Sequence, residues 1–165
     1  MSDFDFPARA WPDMCAAYRD ADLAAACLAL QQGFAVDVPL LLVLSLADRA
    51  VHGVAPQTIA SLETCARDWR ETVIVPLRQT RQAMKGRYDA PAETALRETI
   101  KRAELEAEHL HMLRLAESLP SAVADAPPAA RHYLAVHGLT DDAAEDFIET
   151  FAAACAAQIE RLDHE

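Results

Sequence analysis

The sequence predicts an all-α fold, a single domain over residues 1–165 built as a bundle of six or seven helices. Three observations carry that expectation. Only four residues are glycine, while Ala, Leu, Glu and Arg, all good helix formers, are abundant. Apolar residues recur at spacings of three and four, and no stretch alternates as a strand would. Capping residues, prolines and glycines divide the pattern into segments of helical length. With 165 residues and 52% hydrophobic side chains the chain can bury a sizeable core, and disorder is disfavoured.

A first short helix is expected at about 12–19, and a second from the cap Asp22 to Gln32 with Gly33 just beyond its end. Asp37 caps a third, Val38 to His52, closed by Gly53. Val38, Leu40, Leu41, Leu42, Val43, Leu44 and Leu46 leave it almost no polar side, so it should be the buried central helix. Pro39 is tolerated there because the first turn has no amide partner to lose. The fourth helix, Pro56 to Lys85, is long, with a stripe of Ile59, Leu62, Ala66, Trp69, Val73, Leu77, Thr80 and Met84. Pro76 interrupts it after the β-branched run Val73-Ile74-Val75, at a cost of about 3 kcal/mol for an interior proline. Because the stripe keeps one period across Pro76, a kink is expected rather than two separate helices.

Gly86 to Ala90 reads as a turn. Pro91 opens a fifth helix to about Ser118, with Leu96, Ile100, Ala103, Ala107 and Leu110 as its apolar stripe. Residues 119–128 form a loop marked by Pro120, Pro127 and Pro128. A short helix follows from Ala129 to His137, ended by Gly138. Thr140 caps the last helix, with Asp141 and Asp142 set favourably against its dipole. Its inward residues should be Ala144, Phe147 or Ile148, Phe151, Cys155, Ile159 and Leu162.

The formal net charge is −11, which favours solubility and weighs against non-specific binding to nucleic acid or an anionic membrane. Cys15, Cys27, Cys65 and Cys155 are scattered, so reduced thiols are expected rather than a disulfide framework or a zinc site. The amino terminus, MSDFDFPARAW, is acidic and lacks an apolar secretion core, and the longest apolar run, Val38 to Leu44, is too short to cross a bilayer. A cytoplasmic protein without a membrane partner is the expectation. There is no nucleophile elbow, phosphate-cradling glycine loop, Cys-His pairing or zinc ribbon. Nucleotide hydrolysis and hydride transfer are disfavoured, and no cofactor is expected.

Against this acidic background, residues 67–87 carry six basic side chains and only Asp68 and Glu71, a local charge of +4. On a continuous helix Arg67, Arg70, Arg78, Arg81 and Lys85 would fall within roughly 80° of one another, forming a basic ridge. Arginine offers a planar fork for carboxylate or phosphate, so Arg70, Arg78, Arg81 and Lys85 are candidate binding residues. The competing reading is internal pairing. Acids are available in the fifth helix (Glu93, Glu98, Glu104, Glu106, Glu108, Glu117) and in residues 140–165, where eight oppose Arg161.

Lys101, Glu104, Glu108 and His111 share a face of the fifth helix and form a second candidate cluster. Glu106 with His109 and Glu108 with His111 spell Glu-x-x-His, the spacing used in di-iron bundles, but no second helix supplies the remaining ligands. No metal is therefore expected, with Glu108 and His111 the weak candidates. Pairs such as Lys101–Glu104 and Lys101–Glu108 on a solvated face are the simpler reading. Asp37 most simply caps its helix, a contribution of about 1 kcal/mol, and a ligand role would require a cavity. Trp69 should pack in the core stripe. His132 and His137 should lie at the surface, and His52 should meet a helix dipole.

The segments Leu28-x-Leu30-Gln31, Asp37-Val38-x-Leu40-Leu41-Leu42, Trp69-Arg70, Val73 and Pro76-Leu77-Arg78 stand out together. Arg81, Met84-Lys85 and Lys101-x-x-Glu104-Leu105-x-Ala107-Glu108 complete the set. The combination resembles an uncharacterised proteobacterial family of helical proteins about as long as this chain, domain of unknown function 2390. The resemblance spans roughly residues 15–115; the helical segment 127–163 carries no family pattern. The chain departs from the family at Ala35, where glycine is usual, and at Pro39, where an asparagine follows the Asp-Val pair. The resemblance implies no activity, cofactor or substrate. It places the residues of interest on the ridge, at Asp37 and on the charged face of the fifth helix.

Together these features rank first a non-enzymatic helical protein that binds a protein partner, or itself, through the fourth and fifth helices. The alternative is a small-anion-binding protein or enzyme with Arg70, Arg78, Arg81 and Glu108 lining an interhelical cleft. Nucleic-acid contact through the ridge ranks last. A deep cavity in which both signs of charge converge would favour the alternative.

Overall fold

The structure, a computed structural model, describes Pro12, Cys15 and residues 19–162. Six helical rods and no strand occur among the described residues. α1 (Ala21–Phe34) leads into α2 (Val38–Arg49). α3 (Pro56–Trp69) continues through a π-helical turn, Arg70–Ile74, into α4 (Val75–Met84). α5 (Pro91–Glu117), α6 (Ala129–Val136) and α7 (Asp141–Leu162) complete the all-α single-domain bundle. The helix expected at 12–19 lies largely outside the described residues, although Pro12 and Cys15 are themselves helical.

α2 is the central rod, as its composition predicts. Val38 and every residue from Leu40 to Ala47 are buried, and α1, α3, α5 and α6 surround it. Each fully buried Val or Leu contributes about 1.5–3 kcal/mol, so this helix dominates the core. Asp37 caps it as expected, accepting the Leu40 amide at 3.0 Å.

Three helix ends differ from expectation. α1 is capped by Asp20, which accepts the amides of Asp22 and Leu23, so Asp22 lies within the first turn. It runs through Gly33 to Phe34 and ends at Ala35, whose φ of 54° is left-handed. Glycine suits that conformation and alanine is strained in it by about 1–2 kcal/mol. α2 stops at Arg49. Val51, at φ 55°, donates to the Asp48 carbonyl and His52 to the Ala47 carbonyl, a Schellman closure. Gly53 is needed for another reason. Its carbonyl accepts the Val123 amide at 2.9 Å, and a Cβ on it would lie 2.1 Å from the Val123 oxygen. The 119–128 loop can approach α2 only because that side chain is missing.

Pro76 neither breaks the long helix nor leaves its register intact. The backbone stays right-handed from Trp69 to Val75, but the Val75 amide bonds the Arg70 carbonyl, five residues back. Widening the turn before Pro76 makes room for its ring, and the inserted residue shifts the phase of everything downstream. The expected stripe accordingly holds through Ile59, Leu62 and Ala66, whereas Ile74 is buried and Thr80 is exposed. From residue 75 to residue 103 nothing is buried. α4 and the first half of α5 pack on each other as a two-helix arm leaving the body.

α5 corrects a second stripe. Leu96, Ala103 and Leu110 are exposed, and the inward residues are Glu104, Ala107, His111, Met112, Leu115 and Ala116. Two polar side chains occupy core positions, which an apolar-stripe reading cannot anticipate. At the other end of the bundle, the Asp48 carboxylate accepts the amides of Ala129 and Ala130 at 2.7 and 2.9 Å. It caps α6 across the fold. Burial pushes the Asp48 carboxyl above its usual range despite those two bonds. His137 is also not a surface residue: it bonds the Phe34 carbonyl at 3.0 Å and Glu63 at 2.7 Å, tying α6 to α1 and α3. Thr140 caps α7 through the Ala143 amide, and Ala144, Phe147 and Phe151 point inward. α7 packs on α1 and α6, so its acidic residues do not cover the ridge.

Candidate functional site

The π turn decides which cations face the same way. On an unbroken α-helix Arg70 and Arg78 would be about 80° apart; removing the phase of one residue brings them within about 20°. Arg70, Ile74 and Arg78 line one wall of a cleft of about 360 Å³. The opposite wall is the start of α2 and the middle of α5, with Val38, Pro39, Leu42, Leu105, Glu108, His111 and Met112. Cys15, Arg19, Gln31, Val36 and Asp37 complete the lining. Arg67, on the other side of the π turn, is exposed. The five expected ridge cations therefore do not form one stripe.

Asp37 is the buried centre of the cleft. Its Oδ1 accepts the Leu40 amide at 3.0 Å and faces His111 Nε2 at 3.4 Å; its Oδ2 accepts from Arg70 Nη1 at 2.9 Å. Its own amide donates to the Tyr133 hydroxyl at 3.0 Å, so α6 holds the cap residue in place. Burial pushes the Asp37 carboxyl up, but the His111 bond and charge, the Leu40 amide and Arg70 outweigh it and hold the group below the usual carboxylate range. The Tyr133 hydroxyl is pushed far up by burial.

A second cluster fixes the arm to α5. Arg78 donates from Nε to Glu104 at 2.8 Å and from Nη2 to Glu108 at 2.6 Å. Arg81 grips both oxygens of Glu104, at 2.5 and 3.3 Å. Glu104 is buried, and burial alone would raise its pKa; the two guanidiniums reverse that and lower it. Glu108 is pushed up by burial and by neighbouring Glu104 against the pull of Arg78. Both arginines are held more firmly protonated by these acids.

The remaining candidates stand apart. Lys85 is exposed at the end of α4. Lys101 is exposed and among the described residues pairs with Glu98, at 3.9 Å; the expected pairs with Glu104 and Glu108 do not form because both glutamates turn to the arginines. Glu108 and His111, the weak metal candidates, point to Arg78 and Asp37 respectively. Among the described residues no group of three His, Cys, Asp or Glu side chains could hold a metal ion. Trp69 packs half-buried, donating Nε1 to the Ala107 carbonyl at 3.1 Å beneath the Arg114 guanidinium.

Sequence reading missed Arg19, Gln31, Leu105, Met112 and Tyr133 as contributors. The signal that could have revealed the cleft is the spacing Glu104, Ala107, His111, which places two polar residues on one inward face. Tyr133 left no local signal, being 96 residues from the amide it supports. Cys15 lines the cleft, but burial raises its thiol pKa, so it is not an activated nucleophile.

The family profile described as Protein of unknown function (DUF2390) matches residues 9–115. The chain belongs to this family. Every residue lining the cleft, from Cys15 to Met112, falls within the part that matches the DUF2390 profile. Tyr133, which props Asp37 from behind, falls outside it. Neither a curated protein nor a solved structure matches the chain. No helix among the described residues is long and apolar enough to cross a membrane.

Proposed function

We propose that this DUF2390 protein binds a small anionic molecule in the cleft between α2, α5 and the π turn. The observation that carries the reading is the convergence of Arg70 and Arg78 on one walled cleft, with Asp37 and Glu108 orienting them. The volume suits a small organic ligand, and apolar walls with a few placed charged groups are typical of such sites. Arg70 spends one nitrogen on Asp37, and among the described residues no hydrogen bond engages its other two. Among the described residues Arg78 likewise keeps Nη1 without a hydrogen bond. Those donors are what an incoming carboxylate or phosphate would meet.

Docking of a protein partner on Arg78 and Arg81, the reading the sequence ranks first, has less support, because both guanidiniums are turned onto Glu104 and Glu108. A reducing cytoplasmic setting is part of the proposal and agrees with the free thiols of Cys15, Cys27 and Cys65. Thermal unfolding of the full chain against a panel of small carboxylates, phosphates and amines tests the reading. Anions should raise the midpoint and amines should not. Equal shifts with both classes, or shifts unchanged in Arg70→Gln and Arg78→Gln, would count against it.

A further inference from the structure

The composition of the cleft narrows the ligand class, and this step rests on the anion-binding reading above. Arg19, Arg70 and Arg78 line the cleft together with Asp37 and Glu108, one guanidinium more than the carboxylates among them. Arg81 and Glu104, just behind, cancel each other. The surplus guanidinium favours an anion over a cation in the cleft. Apart from Cys15, Gln31 and His111 the rest of the lining is apolar, with Val38, Pro39, Ile74 and Leu105 among it. Leu105 is the informative residue: it lies on the cleft yet is 58% exposed. Its exposed aliphatic side chain is therefore available to an apolar group held at the charged end of the cleft.

We infer that the ligand is an amphiphilic anion, a carboxylate or phosphate diester on an aliphatic body, with its head at Arg70 and Arg78 and its tail along Val38, Pro39 and Leu105. The same chemistry occurs in a free amphiphile and in an anionic membrane lipid. The protein's charge of −11 opposes approach to an anionic bilayer, which favours the free molecule.

Titration calorimetry on the full chain tests this with octanoate, acetate, inorganic phosphate, octanol and octylammonium as probes, alongside sedimentation with phosphatidylglycerol vesicles. Octanoate should bind about a hundredfold more tightly than acetate, from the methylenes it buries. Octanol and octylammonium should not bind measurably. Arg70→Gln should weaken octanoate about tenfold or more through loss of a charge-assisted bond. Because Arg70 also supports Asp37, Leu105→Gln is the second variant; its exposed position spares the fold, it adds no charge to the cleft, and it should weaken octanoate more than acetate. Acetate or phosphate binding as tightly as octanoate would overturn the amphiphile inference and leave anion binding standing. Octylammonium or octanol binding as well as octanoate would overturn the anion reading itself. Silence from every probe would overturn both, and capture by vesicles with no response to soluble octanoate would move the ligand to the membrane and overturn the free-amphiphile form.

Discussion

Replacing Asp37 by asparagine separates its charge from its capping role. Asparagine caps a helix as well as aspartate does, so the bond from the Leu40 amide should survive. What is lost is the anion that accepts from Arg70 at 2.9 Å and faces His111 at 3.4 Å. Asp37 is 2% exposed, but the Arg70 side chain is 26% exposed, so water recovers part of what the guanidinium loses. Hydrogen bonds to charged groups contribute about 1.5–3 kcal/mol, and the partial exposure places Asp37→Asn near 2 kcal/mol. Asp37→Ala should cost about 3 kcal/mol, because the cap, worth about 1 kcal/mol, goes too. Urea unfolding followed by circular dichroism measures both. The sign of the pH effect follows from the same contacts. The folded-state pKa of Asp37 is depressed, so its contribution is complete above the ordinary carboxylate value of about 4 and is lost as pH falls through the lower folded value. Asp37→Asn should therefore lose less stability than the native chain on acidification. An asparagine variant within about 0.5 kcal/mol of the native protein would refute the charge network, and an alanine variant no worse than asparagine would refute the cap.

Three further outcomes follow from particular contacts. Ala35→Gly should raise stability by about 0.5–1 kcal/mol, since relief of left-handed strain exceeds the entropy glycine adds to the unfolded chain; a lower midpoint in thermal unfolding would contradict this. Gly53→Ala should cost about 1–3 kcal/mol by driving a methyl into the Val123 carbonyl, and amide exchange should rise in the 119–128 loop first. Glu104→Gln should cost about 2 kcal/mol because two guanidiniums lose a buried anion. Glu108→Gln should cost less than about 0.5 kcal/mol at neutral pH. The raised folded pKa of Glu108 means its favourable contribution exists below the ordinary value and is lost as pH rises through the folded one. Denaturant midpoints of the two variants side by side would expose a wrong ranking.

The bundle itself was legible because local signals and packing agree. The all-apolar run of α2, the proline at the start of α5 and the proline-rich loop before α6 each mark their element without reference to the rest. The cleft was only half legible. Arg70, Arg78, Asp37 and Glu108 are recognisable as charged groups in the wrong kind of company, but their meeting depends on the π turn. A uniform 100° per residue cannot express an inserted residue, so it laid Arg67 to Lys85 along one stripe. The inward face of α5 was misread for a related reason. Glu104 and His111 are buried because Arg78, Arg81 and Asp37 satisfy them, and partners on other helices are invisible to a pattern that scores polar residues as outward. Val51 shows the same limit at a helix end, since a left-handed position filled by valine carries no local mark, whereas Ala35 was marked only by the glycine usual there in the family.

The most direct test is a crystal structure of the full chain soaked with a bromoalkanoate, with the bromine located by anomalous scattering. Binding as described places the carboxylate within hydrogen-bond reach of Arg70 and Arg78 and the bromine against Val38, Pro39 or Leu105. Bromine found only outside the space between α2, α5 and the π turn, in crystals saturated with the compound, would contradict it.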